Sequence, residues 1–263
     1  MPEVISDAEL VKRFAEQAAQ EPEVQIETKA PAETVVSLPG GYLAIGKELA
    51  STAEVRELNG SDEEAIAKSG SVSRSLQTLL ARGLVKIGNE EATAEHIDNL
   101  LAGDRDAILL AIRRVTFGNT FDLVIRCPMC KEQQDCSIDL VDDVPVKKLK
   151  DPSERVWTVD TRIGKVRLML PTGSVQKLLM DNMDKTSAEV NTLLLSNCII
   201  AVNESPVVGA QAALSLGMAD RANIINEILE RNPGPRLGEV KKSCKACGES
   251  IDLPLGLTDL FRL

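Results

Sequence analysis

Aromatic residues are scarce in this 263-residue chain, which has one Trp, one Tyr and four Phe. That scarcity leaves few side chains on which the bases of a single-stranded nucleic acid can stack. Basic residues are outnumbered as well, because 30 Lys and Arg stand against 40 Asp and Glu, for a net charge of −10. Such an acidic chain does not attract phosphate backbones from a distance, so we expect no nucleic-acid partner.

Long hydrophobic runs are also missing. The longest apolar stretch, from Leu193 to Val202, is interrupted by Ser196 and Asn197 and is too short to cross a bilayer. The opening MPEVISDAEL has neither the basic start nor the apolar centre of a signal peptide. We therefore expect a soluble protein of a reducing cytoplasm, with no membrane partner, whose six cysteines are ligands or core residues rather than disulfides.

A catalytic constellation is not apparent either. The single histidine, His96, stands beside Glu95 on a predicted helix, where a solvent-exposed face explains it, and no nucleophile accompanies it. Gly40 and Gly41 form a predicted turn and fit no phosphate-binding motif. The sequence predicts a protein without catalytic residues, and therefore not an enzyme.

Two Cys-x-x-Cys pairs are the clearest chemical signal. Cys127 and Cys130 form the first pair, and Cys244 and Cys247 form the second, with 244 − 130 − 1 = 113 residues between them. Structural zinc binds four thiolates in a tetrahedron, and each such turn supplies two. The four cysteines therefore predict one structural Zn²⁺ that joins distant parts of the chain.

The surroundings of these pairs recur along the chain. Each pair is followed by Ile-Asp-Leu, and TLLARGLVKIGNE from Thr78 aligns with TLLLSNCIIAVNE from Thr192. DRDAILLAI from Asp104 aligns with DRANIINEI from Asp220. The offsets are nearly constant, from 192 − 78 = 114 to 244 − 127 = 117. We interpret the chain as a tandem duplication in which each copy carries half of the zinc site.

Two different roles for the paired cysteines stay open at this point. The pairs can have a structural role without a metal. They can also carry out redox chemistry, but this role is disfavoured because neither pair lies at the start of a helix. Cys136 is either a spare ligand or a buried thiol, and Cys198 is predicted to be a small core residue.

The predicted fold class is α+β: two helical units, each ending in a β-hairpin zinc knuckle, with the knuckles joined in one zinc-ribbon-like site. A hairpin is predicted to turn near Ile163 and Gly164, and Ser61 is predicted to cap a helix. The predicted organisation comprises an N-terminal amphipathic helix and extended arm, a first repeat, a linker and a second repeat: residues 1–36, 37–140, 141–156 and 157–263. The arm either docks on a neighbouring protein or packs on its own domain or stays disordered.

An Asp-Arg pair stands at the same place in both repeats, as Asp104-Arg105 and Asp220-Arg221. A catalytic pair would rarely be needed twice. We expect the aspartate to cap a helix and the arginine to form an ion pair.

Three stretches resemble the baseplate proteins of T-even-type phages, which are often labelled baseplate hub assembly chaperones and are also encoded in contractile injection systems. The stretches are LPTGSVQKLLM, LLAGDRDAILLAIRRVTFGNTFDLVIRCPMC and CKACGESIDLPL. The residues at the most telling motif positions are Gly103, Asp104, Arg105, Arg113, Phe117 and Gly118. The second repeat departs from the motif, because Met218 and Ala219 precede its Asp220 and RNPGPRL replaces the aromatic–glycine turn.

The resemblance implies a non-enzymatic protein of the tail baseplate near the hub, either a structural subunit or an assembly chaperone. Its implied partners are other baseplate, hub or tail proteins, within an oligomer of a symmetric assembly. Its implied location is the host cytoplasm during assembly, or the tail baseplate of the virion.

Two alternatives come from other classes of protein. A zinc-ribbon adaptor that binds nucleic acid or another protein would use Lys241, Lys242 and Lys245 beside the second knuckle. A thiol oxidoreductase would need a cysteine of low pKa.

Overall fold

A computed structural model describes residues 34–43 and 48–261. The amphipathic helix predicted near the N-terminus lies outside the described residues. Val35 and Val36, which the predicted organisation places in the extended arm, instead begin the first strand of the fold.

The N-terminal half, residues 34–140, starts with a hairpin and ends with a longer one. Its strands are β1 (Val35–Tyr42), β2 (Ala50–Val55), β3 (Leu84–Ile87), β4 (Glu90–Glu91), β5 (Thr120–Arg126) and β6 (Gln133–Asp139). Its helices are α1 (Gly60–Ala67), α2 (Val72–Gly83), α3 (Ala94–Asn99) and α4 (Ala102–Phe117).

The C-terminal half, residues 156–261, runs through a comparable series. Its strands are β8 (Val156–Thr161), β9 (Gly164–Met169), β10 (Ile199–Val202), β11 (Ser205–Pro206), β12 (Gly234–Pro235), β13 (Lys241–Ser243) and β14 (Ser250–Asp252). Its helices are α5 (Gly173–Met180), α6 (Ser187–Cys198), α7 (Gln211–Ser215), α8 (Met218–Arg231) and α9 (Leu257–Phe261). The predicted hairpin turn is confirmed, since Thr161 pairs with Gly164.

The two halves share one order of elements: hairpin, two helices, hairpin, short helix, long helix and ribbon. Their sheets also share one strand order, β1-β2-β3-β4 in the N-terminal half and β8-β9-β10-β11 in the C-terminal half. The mixture of helices and antiparallel strands confirms the α+β class.

Three hydrophobic clusters hold these elements. One lies within the N-terminal half around Leu79, Leu80 and Ile108, and a second lies within the C-terminal half around Leu195 and Ile224. The third cluster draws residues from both ribbons and is described below. The halves therefore have separate cores and meet at a shared one.

Some local predictions require correction. Asn59, not Ser61, caps α1, because its Oδ1 accepts from the amides of Ser61 and Asp62 while the Asp62 carboxylate accepts from the Asn59 amide. Gly40 and Gly41 lie inside β1 rather than in a turn, where the register with β2 is irregular.

The segment predicted as a linker, 141–156, contains ordered structure. Its strand β7 (Val146–Lys147) pairs with β12, and a 3₁₀ helix covers Pro152–Arg155 before β8 begins. A second 3₁₀ helix covers Leu237–Glu239. In the described ranges we find no helix that is both long and apolar enough to cross a membrane.

Candidate metal centre and the junction between the halves

The first cysteine pair lies in the turn that joins β5 to β6. The Cys127 amide donates to the carbonyl of Glu132 at 2.9 Å, and the Lys131 amide donates back to the Cys127 carbonyl at 3.1 Å. Lys131 has a φ of +63°, in the left-handed region that side chains other than glycine seldom adopt. This closed turn points both thiols toward one side of the ribbon.

The second pair lies in an equivalent turn between β13 and β14. The Cys244 amide donates to Glu249 at 2.8 Å, and the Gly248 amide donates back to Cys244 at 2.9 Å. Gly248 has a φ of +76° and occupies the position of Lys131 in the first turn. The same hydrogen bonds in both turns explain why the two pairs have the same spacing.

The structure brings the four sulfurs together. Cys127 Sγ lies 3.7 Å from Cys247 Sγ, Cys130 Sγ lies 3.7 Å from Cys244 Sγ, and all four lie within 4.8 Å of one another. A tetrahedral zinc with Zn–S bonds of about 2.3 Å places its sulfurs about 3.8 Å apart. The four cysteines are therefore close enough, and of the right donor type, to hold one metal ion.

Backbone amides influence the thiols as well. Amides of Cys247 and Ala246 lower the pKa of Cys244 to about 7, because they favour its thiolate. The Glu132 amide favours the thiolate of Cys130, but desolvation and the neighbouring sulfurs outweigh it and raise its pKa to about 12. Four thiolates this close repel one another, and a divalent cation would offset that repulsion.

A shared hydrophobic cluster supports the metal centre. The Ile-Asp-Leu that follows each pair inserts Ile138 and Leu140 from one ribbon and Ile251 and Leu253 from the other, all buried. Cys136 is buried in this cluster, and burial raises its pKa. It is not one of the four clustered sulfurs, so it belongs to the core.

Cys198 is fully buried in the C-terminal half, as predicted, and burial raises its pKa to about 12. Neither cysteine has the exposed, low-pKa character of a reactive thiol.

The three lysines beside the second turn already have acceptors in the chain. Lys241 lies 3.2 Å from Asp252, Lys242 forms an ion pair with Asp143, and Lys245 Nζ donates to the Asp135 carbonyl at 2.8 Å. The Lys245 contact joins the two ribbons. Two of these lysines face carboxylates of the chain and the third donates to a backbone carbonyl, which weakens the case for a nucleic-acid adaptor.

A second contact between the halves lies at the start of α4 and is called here the helical junction, Leu100–Arg105 against Pro171–Gly173. The Ala102 amide donates to Pro171 at 2.9 Å, and the Gly173 amide donates back to Leu100 at 2.7 Å. Gly103 lies so close to Pro233 that an added Cβ would overlap the Pro233 carbonyl. No pattern in the sequence indicated that these stretches meet.

The Asp-Arg pair at this junction does not behave as predicted. Asp104 is fully buried, caps no helix, and accepts from the Gly40 amide through Oδ1 at 2.7 Å. Arg105 does not pair with it but donates to the Gly173 carbonyl and to Gln77 Oε1, at 2.8 Å for the latter. Both side chains contact segments that are distant in the sequence, and the Asp-Arg motif alone does not reveal such contacts.

The second pair also departs from the prediction. Asp220 accepts from the Arg162 amide at 3.1 Å, and Arg221 donates to Ala213 at 2.6 Å and to Thr192 Oγ1 at 2.8 Å. All of these acceptors and donors lie in the C-terminal half.

Burial shifts the titration of Asp104. Desolvation raises the pKa of its carboxyl to about 7, and the Gly40 amide and the Arg155 guanidinium only partly offset that effect. Arg155, in the 3₁₀ helix just before the C-terminal half, also reaches the N-terminal half, because its Nη2 donates to the Gly40 carbonyl at 2.9 Å. Asp104 Oδ2 is buried and has no hydrogen-bond partner among the described residues.

His96 is more buried than predicted. Its ring stacks edge-on against Tyr42 with 5.4 Å between centroids, and its Nε2 lies 3.7 Å from Glu90. Neither neighbour is a nucleophile activated by this histidine, and the contacts give it a packing role.

A family model described as T4 bacteriophage base plate protein matches residues 49–262, which is most of the chain. The match includes both cysteine pairs and both segments of the helical junction. No curated protein and no solved structure matches the chain.

Proposed function

Because the chain belongs to the T4 bacteriophage base plate protein family, we propose that it serves near the hub of a phage-type tail baseplate as a non-enzymatic protein of rigid shape. The proposal includes one structural zinc, held by two thiolates from each half. The zinc assignment is supported by the tetrahedral spacing of the four sulfurs. The cysteines that meet there are separated by 114 to 120 positions in the chain.

A metal at this position would fix the two ribbons to each other. The ribbons already share a hydrophobic cluster, and the zinc would add a covalent-like link that the cluster cannot provide. The common element order of the halves supports a tandem duplication in which each copy supplies half of the site. When bound, the zinc would act as a cross-link and not as a Lewis acid, because four thiolates leave no open coordination position.

Metal analysis of the purified full-length chain tests the first part of the proposal. We expect one zinc per chain by elemental analysis, with the loss of zinc upon Cys127→Ser or Cys244→Ser. Cys136→Ser is the matched control, since it removes a buried thiol of the same cluster and should leave the zinc content unchanged. A metal content near zero in protein purified without chelator would contradict the zinc assignment.

Mass spectrometry of phage particles and of their assembly intermediates tests the second part. Finding the chain at fixed stoichiometry in mature tails would identify a structural subunit of the baseplate. Finding it only in intermediates that contain hub proteins would identify an assembly chaperone. Its absence from both would refute the proposed role.

A further inference from the structure

The segments that form the helical junction have counterparts elsewhere in the chain. With the offset of 220 − 104 = 116, Leu100–Arg105 corresponds to Leu216–Arg221 in the C-terminal half. With the offset of 173 − 60 = 113, Pro171–Gly173 corresponds to Leu58–Gly60 in the N-terminal half. The fold thus contains two copies of each partner but uses only one of each in the observed junction.

The unused copies differ in exposure from the paired ones. Ala102 is 6% exposed in the junction, whereas its counterpart Met218 is 89% exposed. Gly173 is buried, whereas its counterpart Gly60 is exposed. Leu214, beside Met218, is 67% exposed. A large apolar side chain therefore stands free where the other half of the fold has a buried contact.

The glycines show the same difference. A Cβ on Gly173 would overlap the Ile97 carbonyl, so close approach requires a glycine there. A Cβ on Gly60 would meet nothing within 4 Å. Gly60 begins α1 as Gly173 begins α5, so the backbone that receives a neighbour in one half is open in the other.

The two open surfaces are chemically complementary. Beside Gly60 a groove of about 660 Å³ is lined largely by apolar groups, including Leu58, Ile66, Val72 and Phe117, and Phe117 is 62% exposed. The other surface presents Met218 and Leu214, which are both exposed. Contiguous exposed apolar surface is more typical of a site that contacts another protein than of a surface that faces only solvent.

We propose that a second copy of this chain docks the start of its α8, at Gly217 and Met218, against Leu58–Gly60 of the first, with backbone contacts like those of the helical junction. The second copy is the fitting occupant because the chain already demonstrates this pairing between its own halves. Each contact joins two different surfaces, so it is head-to-tail and extends to a ring or a row of copies. The inference does not depend on the zinc or on the baseplate role.

Two single substitutions would block the two surfaces separately. Met218→Asp places a charge in the first surface, and Gly60→Glu places a bulky acid in the second, at a helix start where it should not disturb folding. We expect the wild-type full-length chain to show concentration-dependent association by sedimentation velocity, and each variant alone to sediment as a monomer. Met183→Asp is the control, because Met183 is also exposed but lies outside both surfaces.

Mixing the two blocked variants is the decisive measurement. Each retains the surface that the other has lost, so an equimolar mixture should form a heterodimer and nothing larger. A mixture that stays monomeric while wild type associates would refute the head-to-tail pairing. A wild-type chain that remains monomeric up to its solubility limit would also refute it. Circular dichroism of each variant confirms that the fold is intact.

Discussion

Loss of one cysteine of the proposed zinc site should destabilise the fold by the same amount whichever half supplies that cysteine. The shortest segment between the two cysteine pairs that the metal would close runs from Cys130 to Cys244, which are 244 − 130 = 114 positions apart. Closing a loop of that length removes about 5 kcal/mol of unfolded-chain entropy if the metal acts as a disulfide does. We therefore expect Cys127→Ser and Cys244→Ser each to lower the free energy of unfolding by about 5 kcal/mol.

The double variant makes this prediction sharper. Once one ligand is lost the cross-link is lost, so Cys127→Ser with Cys244→Ser should cost little more than either change alone. Urea denaturation followed by circular dichroism, at fixed zinc and protein concentration, measures all three variants. Cys136→Ser is the control and should cost about 1–2 kcal/mol, the effect of a hydroxyl in an apolar site. Additive losses, or a large loss from only one of the ligands, would refute a shared site.

Three further predictions concern single positions. Asp104→Asn should reduce the decrease in stability between about pH 4 and pH 7. Burial raises the pKa of Asp104 to about 7, so the fold favours its protonated form, and that stabilisation is lost as the pH rises; Asp106, with a pKa raised to about 6, keeps its own share of the decrease. Melting curves of both proteins over this range test the difference. Gly103→Ala should destabilise by about 3 kcal/mol or more, since its Cβ would overlap backbone atoms, while Gly60→Ala should have little effect in the same urea titration. Gly248 and Lys131 both have positive φ, which glycine adopts more readily than other residues. Gly248→Ala should therefore lower the free energy of unfolding by about 1 kcal/mol, and Lys131→Gly should raise it by about as much. Changes of the opposite sign in the same urea titration would contradict the turn geometry.

Local pattern and repetition predicted much of the fold. The sequence predicted a hairpin that turns near Ile163 and Gly164, and Thr161 does pair with Gly164. The two cysteine pairs and their Ile-Asp-Leu repeats predicted a shared site, and the four sulfurs do lie together. Such features are visible in sequence because each depends on residues a few positions apart, or on a motif that occurs twice.

The helical junction could not be predicted in the same way. Asp104 and Arg105 have the same neighbours in sequence whether they cap a helix or hold another segment, and only tertiary packing distinguishes the two roles. The prediction of an exposed His96 fails for a related reason, since its cover comes from Tyr42 on a distant strand. Side chains that contact distant backbone carry no periodic signal in the sequence.

Two of the attachments between the halves are the helical junction and the metal centre, and both are reached from α4. The helical junction is at the start of α4. Strand β5 begins three residues after α4 ends, and the first cysteine turn follows β5. Sixteen residues of helix, about 24 Å long, and the strand β5 separate the two attachments along the chain, so each attachment holds a different part of the N-terminal half. Removing the metal should therefore loosen the ribbons while the halves remain joined at the junction.

Hydrogen exchange after chelation tests whether the ribbons loosen while the helical junction stays intact. The amides of Cys127 and Cys244, which donate within the cysteine turns, should lose protection when zinc is removed. The amides of Ala102 and Gly173, which donate across the helical junction, should keep most of theirs. Loss of protection at all four amides together would show that the halves separate as one cooperative event, and that the helical junction is too weak to hold them without the metal.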